Sequence, residues 1–394
     1  MELRTSELSV GYGKKTVISG VNIQALRGQI IGILGPNGSG KTTLLRTLAG
    51  LLAPLSGTVY LNQENLSAMS LQKLATRLAV VLTGKQPIPR YLTVMELVAA
   101  GRYPYTDFRG KIGGRDLEKI YEALRWVQVE HLADRYVAEL SDGEQQKVML
   151  ARALAQDTEL IILDEPSSFL DLKNRTEFLR TLMELSRKRG MTVIWSLHEV
   201  DVALKCCETV ILVKDGAIQA AGPPEGILNE EAVCQLYGGE RLKMNMAIGN
   251  TELDNPNAAV IWVVGGGGTG TPVYRLLTKH GYGFATGILH QNDVDYHVAS
   301  TMGVKVTAVP PFSQIDGQAV AAAKNSLAEA KIIIDSGFPL GVINRANLEL
   351  ITEGVRLGKP LISLREAANL ACPVHPEERC SVSDLILRVR KYIC

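Results

Sequence analysis

The period of apolar and polar positions changes several times along the chain, and the changes mark its organisation. Residues 1–34 read as short apolar strands separated by turns at Gly11-Tyr12-Gly13 and Leu26-Arg27-Gly28. The apolar run Gln29–Leu34 predicts a buried strand, and Thr43-Leu44-Leu45-Arg46-Thr47-Leu48 predicts a helix soon after it. A turn at Ser56-Gly57 and a strand at Thr58–Leu61 follow. From 84 to about 155 the period is helical, in Leu92–Ala100, in Leu117–Val129 and from Ser141 through Leu154, with Pro- and Gly-rich breaks. Strands return at Leu160–Leu163, Thr192–Ser196 and Val210–Lys214. The mixed polar stretch Arg241–Asn257 reads as a linker. Beyond Ala258, strands at Val260–Val264, Gly283–Leu289, Lys305–Val309, Lys331–Asp335 and Pro360–Leu364 alternate with helical stretches such as Gln318–Ala330 and Arg345–Leu357. That alternation argues for a small parallel sheet covered on both faces.

A length of 394 residues is too great for one core and predicts separate domains at 1–240 and 258–394, joined by 241–257. With 46% hydrophobic and 21% charged residues, the composition is that of an ordinary globular protein. A net charge of +1 gives no electrostatic reason to expect nucleic acid or an anionic membrane surface as partner. No apolar run approaches the ~18 residues of a membrane span. The first fifteen residues, MELRTSELSVGYGKK, lack the apolar centre of a secretory signal. Six scattered cysteines, with Cys206 and Cys207 adjacent, do not form a disulfide pattern, and a reducing cytoplasm is the expectation.

Candidate chemistry concentrates at two places. Gly35-Pro36-Asn37-Gly38-Ser39-Gly40-Lys41-Thr42 lies between the first buried strand and its helix. Glycines there keep side chains clear, so that successive backbone N–H groups wrap phosphates. Lys41 is placed for the β- and γ-phosphates and the Thr42 hydroxyl for Mg²⁺. Far downstream, Ile161-Ile162-Leu163-Asp164-Glu165 ends a second buried strand in two carboxylates. Asp164 suits the Mg²⁺ shell, and Glu165 is placed to polarise an attacking water.

Between them, Leu140-Ser141-Asp142-Gly143-Glu144-Gln145-Gln146 opens a helix with a good N-cap residue, a ready anion site. In this order and spacing the motifs resemble the nucleotide-binding subunit of ABC transporters, over roughly residues 1–240. The resemblance implies an ABC-type P-loop ATPase domain with a helical subdomain at about 84–155. It also assigns roles. Tyr12 stacks on adenine, and Gly35 to Thr42 with Thr43 bind ATP. Ser141, Asp142, Gly143 and Glu144 form the signature that contacts ATP held by an opposite subunit. Asp164 is linked to Mg²⁺, Glu165 is the general base, Asp171 lies in the loop joining two active sites, and His198 is the switch histidine. Taken singly, Tyr12, Asp171 and His198 are equally a loop aromatic, a helix N-cap and a surface histidine; the ordered set lifts them. Two departures stand out. Thr83 occupies the place of a metal-contacting glutamine, with Gln86 three residues on, and Asp142 and Glu144 replace a commoner glycine and glutamine.

Leu92 to Tyr105 resembles importers of iron–siderophore complexes, haem and vitamin B12. That implies a homodimer of ATPases beneath a polytopic permease dimer, fed indirectly by a substrate-binding protein. It places the chain peripherally on the cytoplasmic face of the plasma membrane. The alternatives are a soluble ABC ATPase acting in cofactor assembly or another non-transport role, or a bifunctional chain whose second domain is a dinucleotide-dependent enzyme.

In that second domain, Gly265-Gly266-Gly267-Gly268-Thr269-Gly270 follows a strand and opens a helix. Gly265, Gly267 and Gly270 satisfy the spacing of a dinucleotide turn, and Asp293 lies near the distance of a ribose-binding acid. With the five-strand pattern, this predicts a doubly wound, Rossmann-like domain. Two readings of the turn stand: a nucleotide or other anion site, and a tight strand-to-helix turn without ligand. Asp293, Asp295 and His297 suggest a metal or proton-transfer site, against a polar loop capping a helix. Cys372, His375 and Cys380 have loose metal-ligand spacing, with ordinary loop residues the favoured reading.

Overall fold

The computed structural model describes residues 2–82, 91–106, 110–166, 170–238, 242–245, 249–365 and 378–393. It divides into two units, 1–232 and 233–394.

The first unit opens with an antiparallel sheet. Strands β1 (Leu3–Tyr12), β2 (Lys15–Val21) and β3 (Gln24–Ala25) precede β4 (Ile30–Leu34), the phosphate-loop strand. Helix α1 (Lys41–Leu48) follows, then β5 (Ser56–Leu61), β6 (Glu64–Asn65), α2 (Leu71–Ala75) and β7 (Leu78–Val81). In the small sheet the order is β2-β1-β5-β6, with β3 also on β1. The helical stretch supplies α3 (Val94–Ala99), α4 (Gly114–Trp126) and α5 (Asp142–Ala155). The chain then returns through β8 (Leu160–Leu163), α6 (Leu172–Arg189), β9 (Thr192–Leu197), α7 (Val200–Cys206), β10 (Thr209–Lys214) and β11 (Ala217–Gly222). These build a six-stranded sheet in the order β11-β10-β4-β9-β8-β7. All neighbours in it are parallel except β10 and β11. Every residue of β4, β8 and β9 is buried, as a parallel sheet covered on both faces requires. Crossover connections therefore bring the loops after β4, β8 and β9 to one edge of the sheet, where ligands of open α/β sheets bind.

Helices α8 (Pro224–Ile227) and α9 (Glu230–Tyr237) close this part, and the division between units falls inside α9. The stretch expected as a linker carries an antiparallel hairpin instead, β12 (Leu242–Asn245) with β13 (Asn250–Leu253). Met244 and Glu252 are buried in it, and Glu252 accepts a 3.1 Å bond from Arg275 Nε.

The rest of the second unit alternates strictly. It runs β14 (Ile261–Val264), α10 (Gly270–Lys279), β15 (Phe284–His290), α11 (Val294–Thr301), β16 (Lys305–Val309) and α12 (Gly317–Glu329). Then come β17 (Ile332–Asp335), α13 (Ala346–Arg356), β18 (Leu361–Ser363) and α14 (Leu385–Ile393). The five strands pair in parallel in the order β16-β15-β14-β17-β18. That is the doubly wound arrangement, its order reversing between β14 and β17. One apolar cluster around Ile261, Val263, Tyr274 and Phe284 packs one face, and another around Trp262, Ile333, Phe338 and Leu350 packs the other.

Candidate functional site

Residues 35–42 form a tight turn from β4 into α1. Gly40, the N-cap of α1, sits at φ 101°, and a Cβ there would lie 2.5 Å from Val17 Cγ1. Lys41 is buried, and its ammonium folds back to donate to the carbonyls of Gly35 (2.8 Å) and Pro36 (3.1 Å). Burial pushes it below its ordinary value, while Glu165 and Asp164 pull it back up. Ser39 Oγ, in the same loop, is buried without a hydrogen-bond partner. A buried orphan hydroxyl beside a cation satisfied only by loop carbonyls fits a phosphate group.

Thr42 and Asp164 are brought together as expected. The Thr42 hydroxyl donates to Asp164 Oδ1 at 3.1 Å and Oδ2 at 2.9 Å. Hydroxyl, carboxylate and phosphate oxygens are the donor set that Mg²⁺ takes, so the residues present fit that ion. Glu165 occupies φ 45°, a strained position for a residue with a side chain. Its Oε1 lies 2.5 Å from His198 Nε2, so the two side chains are hydrogen-bonded.

Ser196 was not among the candidates, yet it joins the two acids. Fully buried in β9, its hydroxyl donates to Asp164 Oδ1 at 2.7 Å and accepts the Glu165 N–H at 2.8 Å. Only its place two residues before His198 signals it in the sequence.

Ser141 and Glu144 face each other in a reciprocal cap of α5. Ser141 Oγ donates to Glu144 Oε2 at 2.7 Å, as does the Ser141 N–H at 2.8 Å. These bonds hold the Glu144 carboxyl below its ordinary value. The extra carboxylate of the signature is thus turned back and paired with its own cap. Asp142 lies in the exposed first turn of α5. A Cβ on Gly143 would meet Asn174 Nδ2 at 3.2 Å, so this turn packs against the start of α6. Asp171 caps α6, accepting from Asn174 N–H at 2.8 Å. One turn on, Arg175 pairs with Glu199 (2.9 Å), next to His198. Tyr12 is half-exposed at the end of β1, opposite Lys15. Thr83 and Gln86 lie outside the described residues.

In the second unit the glycine turn leads from β14 into α10 as expected, but its donors are engaged. Asp295 Oδ2 accepts from the N–H groups of Gly266 and Gly270 (both 2.8 Å), and Asp293 Oδ2 from that of Gly267 (2.7 Å). Asp293, expected as a ribose-binding acid, also caps α11 through the Asp295 N–H at 3.0 Å. The set Asp293, Asp295 and His297 gathers no metal site; no group of three such side chains able to hold a metal occurs among the described residues. Cys372 and His375 lie outside them, and Cys380 is half-buried. Asp335, the last residue of β17, and Arg365, just past β18, were missed in the sequence; they form a buried forked ion pair at 3.0 and 3.1 Å.

Among the described residues no helix is long and apolar enough to cross a membrane. The family model described as ABC transporter matches residues 18–168, and that described as the MJ0874 family matches 284–378. An uncharacterized ABC transporter ATP-binding protein of Methanocaldococcus jannaschii is 42% identical over 289 residues, covering 73% of this chain and 99% of that protein. A cobalamin import ATP-binding protein of Halobacterium salinarum is 31% identical over 342 residues, covering 84% of this chain and 85% of that protein. The ferric enterobactin transport ATP-binding protein of Escherichia coli is 35% identical over 254 residues, 64% and 93% of the two chains. A solved ATP-binding cassette of an ABC transporter, in its ADP conformation, superposes with a TM-score of 0.55 at 27% identity, covering 61% of this chain and all of that one. With the phosphate loop, the paired acids and His198 assembled at one sheet edge, this chain belongs to the ATP-binding proteins of ABC transporters and carries an ABC-type ATPase in its first unit.

Proposed function

We propose that this ATPase energises a membrane importer of metal chelates of the iron–siderophore, haem or cobalamin kind. The observation that carries the mechanism is the chain of contacts from Thr42 through Asp164 and Ser196 to Glu165 and His198. The cargo class is supported by the likeness to cobalamin and ferric enterobactin import proteins. The first of these aligns over 342 residues, more than the first unit contains, so the similarity runs into the second.

In this reading Lys41 exchanges its loop carbonyls for the β- and γ-phosphates of ATP, and the loop N–H groups with Ser39 take the remaining oxygens. Thr42 and Asp164 would hold Mg²⁺, which when bound would supply charge neutralisation to the phosphates. Tyr12 offers its exposed ring to the adenine. Glu165 accepts the proton of the attacking water, and His198 orients that carboxylate and the γ-phosphate. Ser141 and Gly143, on a different helix, serve the ATP of a second copy, and Asp171 links the two sites. Closure of that head-to-tail homodimer and its reopening after hydrolysis would drive a permease dimer bound through the helical subdomain. The chain then works peripherally at the cytoplasmic face of the membrane.

Glu165→Gln tests the core of this. It keeps the shape at φ 45° and removes the basic oxygen. ATP binding persists, and an ATP-loaded dimer accumulates in size-exclusion chromatography. Steady-state hydrolysis falls about 10²–10⁴-fold. Hydrolysis at the unmutated rate refutes the assignment.

A further inference from the structure

The glycine turn of the second unit carries the spacing of a dinucleotide fingerprint. In such turns glycines are needed because the pyrophosphate approaches the backbone and the helix N-terminus receives its charge. Here each fingerprint glycine has another reason. A Cβ on Gly265 would lie 2.6 Å from Tyr274 Oη, and one on Gly270 2.4 Å from the same oxygen and 3.0 Å from Asp295 Oδ2. At Gly267, where φ is 65°, it would meet Pro339 Cδ at 3.0 Å. The close approach that excludes side chains comes from the protein's own atoms.

The donors tell the same story. Asp295 is fully buried, and its two oxygens collect four bonds at the start of α10. Oδ2 takes the N–H groups of Gly266 and Gly270 at 2.8 Å; Oδ1 takes the N–H and hydroxyl of Thr271 at 2.7 Å. Asp293 takes the Gly267 N–H between them. A carboxylate accepting several backbone N–H groups at a helix N-terminus replaces an anionic ligand in both charge and hydrogen bonding. A pyrophosphate at this turn would need the same N–H groups and would face two carboxylates at contact distance.

We infer that Asp295 is a built-in substitute for the phosphate of a dinucleotide. The turn is closed from within, and the second unit is not a dinucleotide enzyme working through it. The residues present do not fit NAD or NADP, and the glycine pattern records a packing requirement.

The test uses the full chain with Lys41→Ala, which weakens the phosphate site of the first unit. NAD⁺, NADP⁺ and sodium pyrophosphate are titrated calorimetrically into that protein with and without Asp295→Ala. With Asp295 present none of the three binds saturably up to millimolar concentration. With Asp295→Ala, pyrophosphate binds saturably, because the donors of Gly266, Gly270 and Thr271 are released. Should the alanine variant not fold, Asp295→Asn serves, since it keeps the volume but loses one acceptor oxygen. Its second unit unfolds at lower temperature, and pyrophosphate raises that temperature again. Saturable binding of NAD⁺ or NADP⁺ with Asp295 in place overturns the inference. So does an Asp295→Asn protein that unfolds at the unmutated temperature.

Discussion

Ser196 shows how much one side chain contributes to an arrangement otherwise made of acids. Its hydroxyl fixes one oxygen of Asp164 and the backbone of Glu165, and it has no contact with solvent. Ser196→Ala takes the hydroxyl acceptor from the Glu165 N–H and removes one of the hydroxyl donors to Asp164 Oδ1, a loss of about 1–3 kcal/mol. Because the bond positions the acids and not the phosphate loop, kcat for ATP hydrolysis is expected to fall on the order of tenfold, the equivalent of ~1.4 kcal/mol. KM for ATP stays unchanged, and the Mg²⁺ concentration giving half-maximal rate rises. Steady-state kinetics over both ligands checks this; a raised KM for ATP with kcat intact would reject the positioning role. Much of the rest of the site was legible from local signals, with Tyr12, Asp171 and His198 lifted by the ordered set of motifs. Lys41 and Thr42 follow their glycines directly, and Ser141 and Asp171 each bond to an N–H three residues on. Ser196 reaches partners 31 and 32 residues away, and no local pattern announces that.

At the scale of elements, buried parallel strands were the most legible feature. A strand covered on both faces is apolar along most of its length, and Leu160–Leu163 or the isoleucines 332–334 of β17 can hardly be anything else. The hairpin at 242–253 was hidden for the opposite reason. Its strands are short and mixed, and burial of Glu252 depends on Arg275, which lies on a different element. Helix α13 offers a test of packing at this scale. Gly354 lies where α13 crosses β17, and a Cβ there would come within 1.7 Å of Ile333 Cδ1 and 3.1 Å of its Cγ1. Alanine favours helix by up to about 1 kcal/mol over glycine, but overpacking a closed core costs about 1–3 kcal/mol. Gly354→Ala is therefore expected to destabilise the second unit, lowering the urea midpoint of its unfolding while the ATPase rate holds. A raised midpoint would mean that the helix moves off the sheet at little cost.

Over the whole molecule, the apolar clusters among the described residues draw on different stretches of chain, one on buried residues from Leu3 to Val213 and two on buried residues from Ile261 onward. Calorimetry of the full chain is expected to resolve two unfolding transitions. ATP with Mg²⁺ at a hundredfold excess over its dissociation constant adds about 2.7 kcal/mol to the first unit and moves only that transition. A common shift of both would show that ligand binding in the first unit is transmitted to the second. The chain by itself determined the presence of two α/β bodies, the nucleotide chemistry of the first and the order of its motifs. Those rest on short-range rules: a loop's own N–H groups, a cap three residues away, a strand apolar on both faces. Tertiary structure alone decided which long-range partners fill those local forms. It placed Ser196 between Asp164 and Glu165, turned Glu144 back onto Ser141, and put Asp295 where a phosphate was one of two readings. A glycine turn looks the same in sequence whether a ligand or a carboxylate from 25 to 29 residues downstream receives its hydrogen bonds, because only the folded backbone brings that carboxylate there.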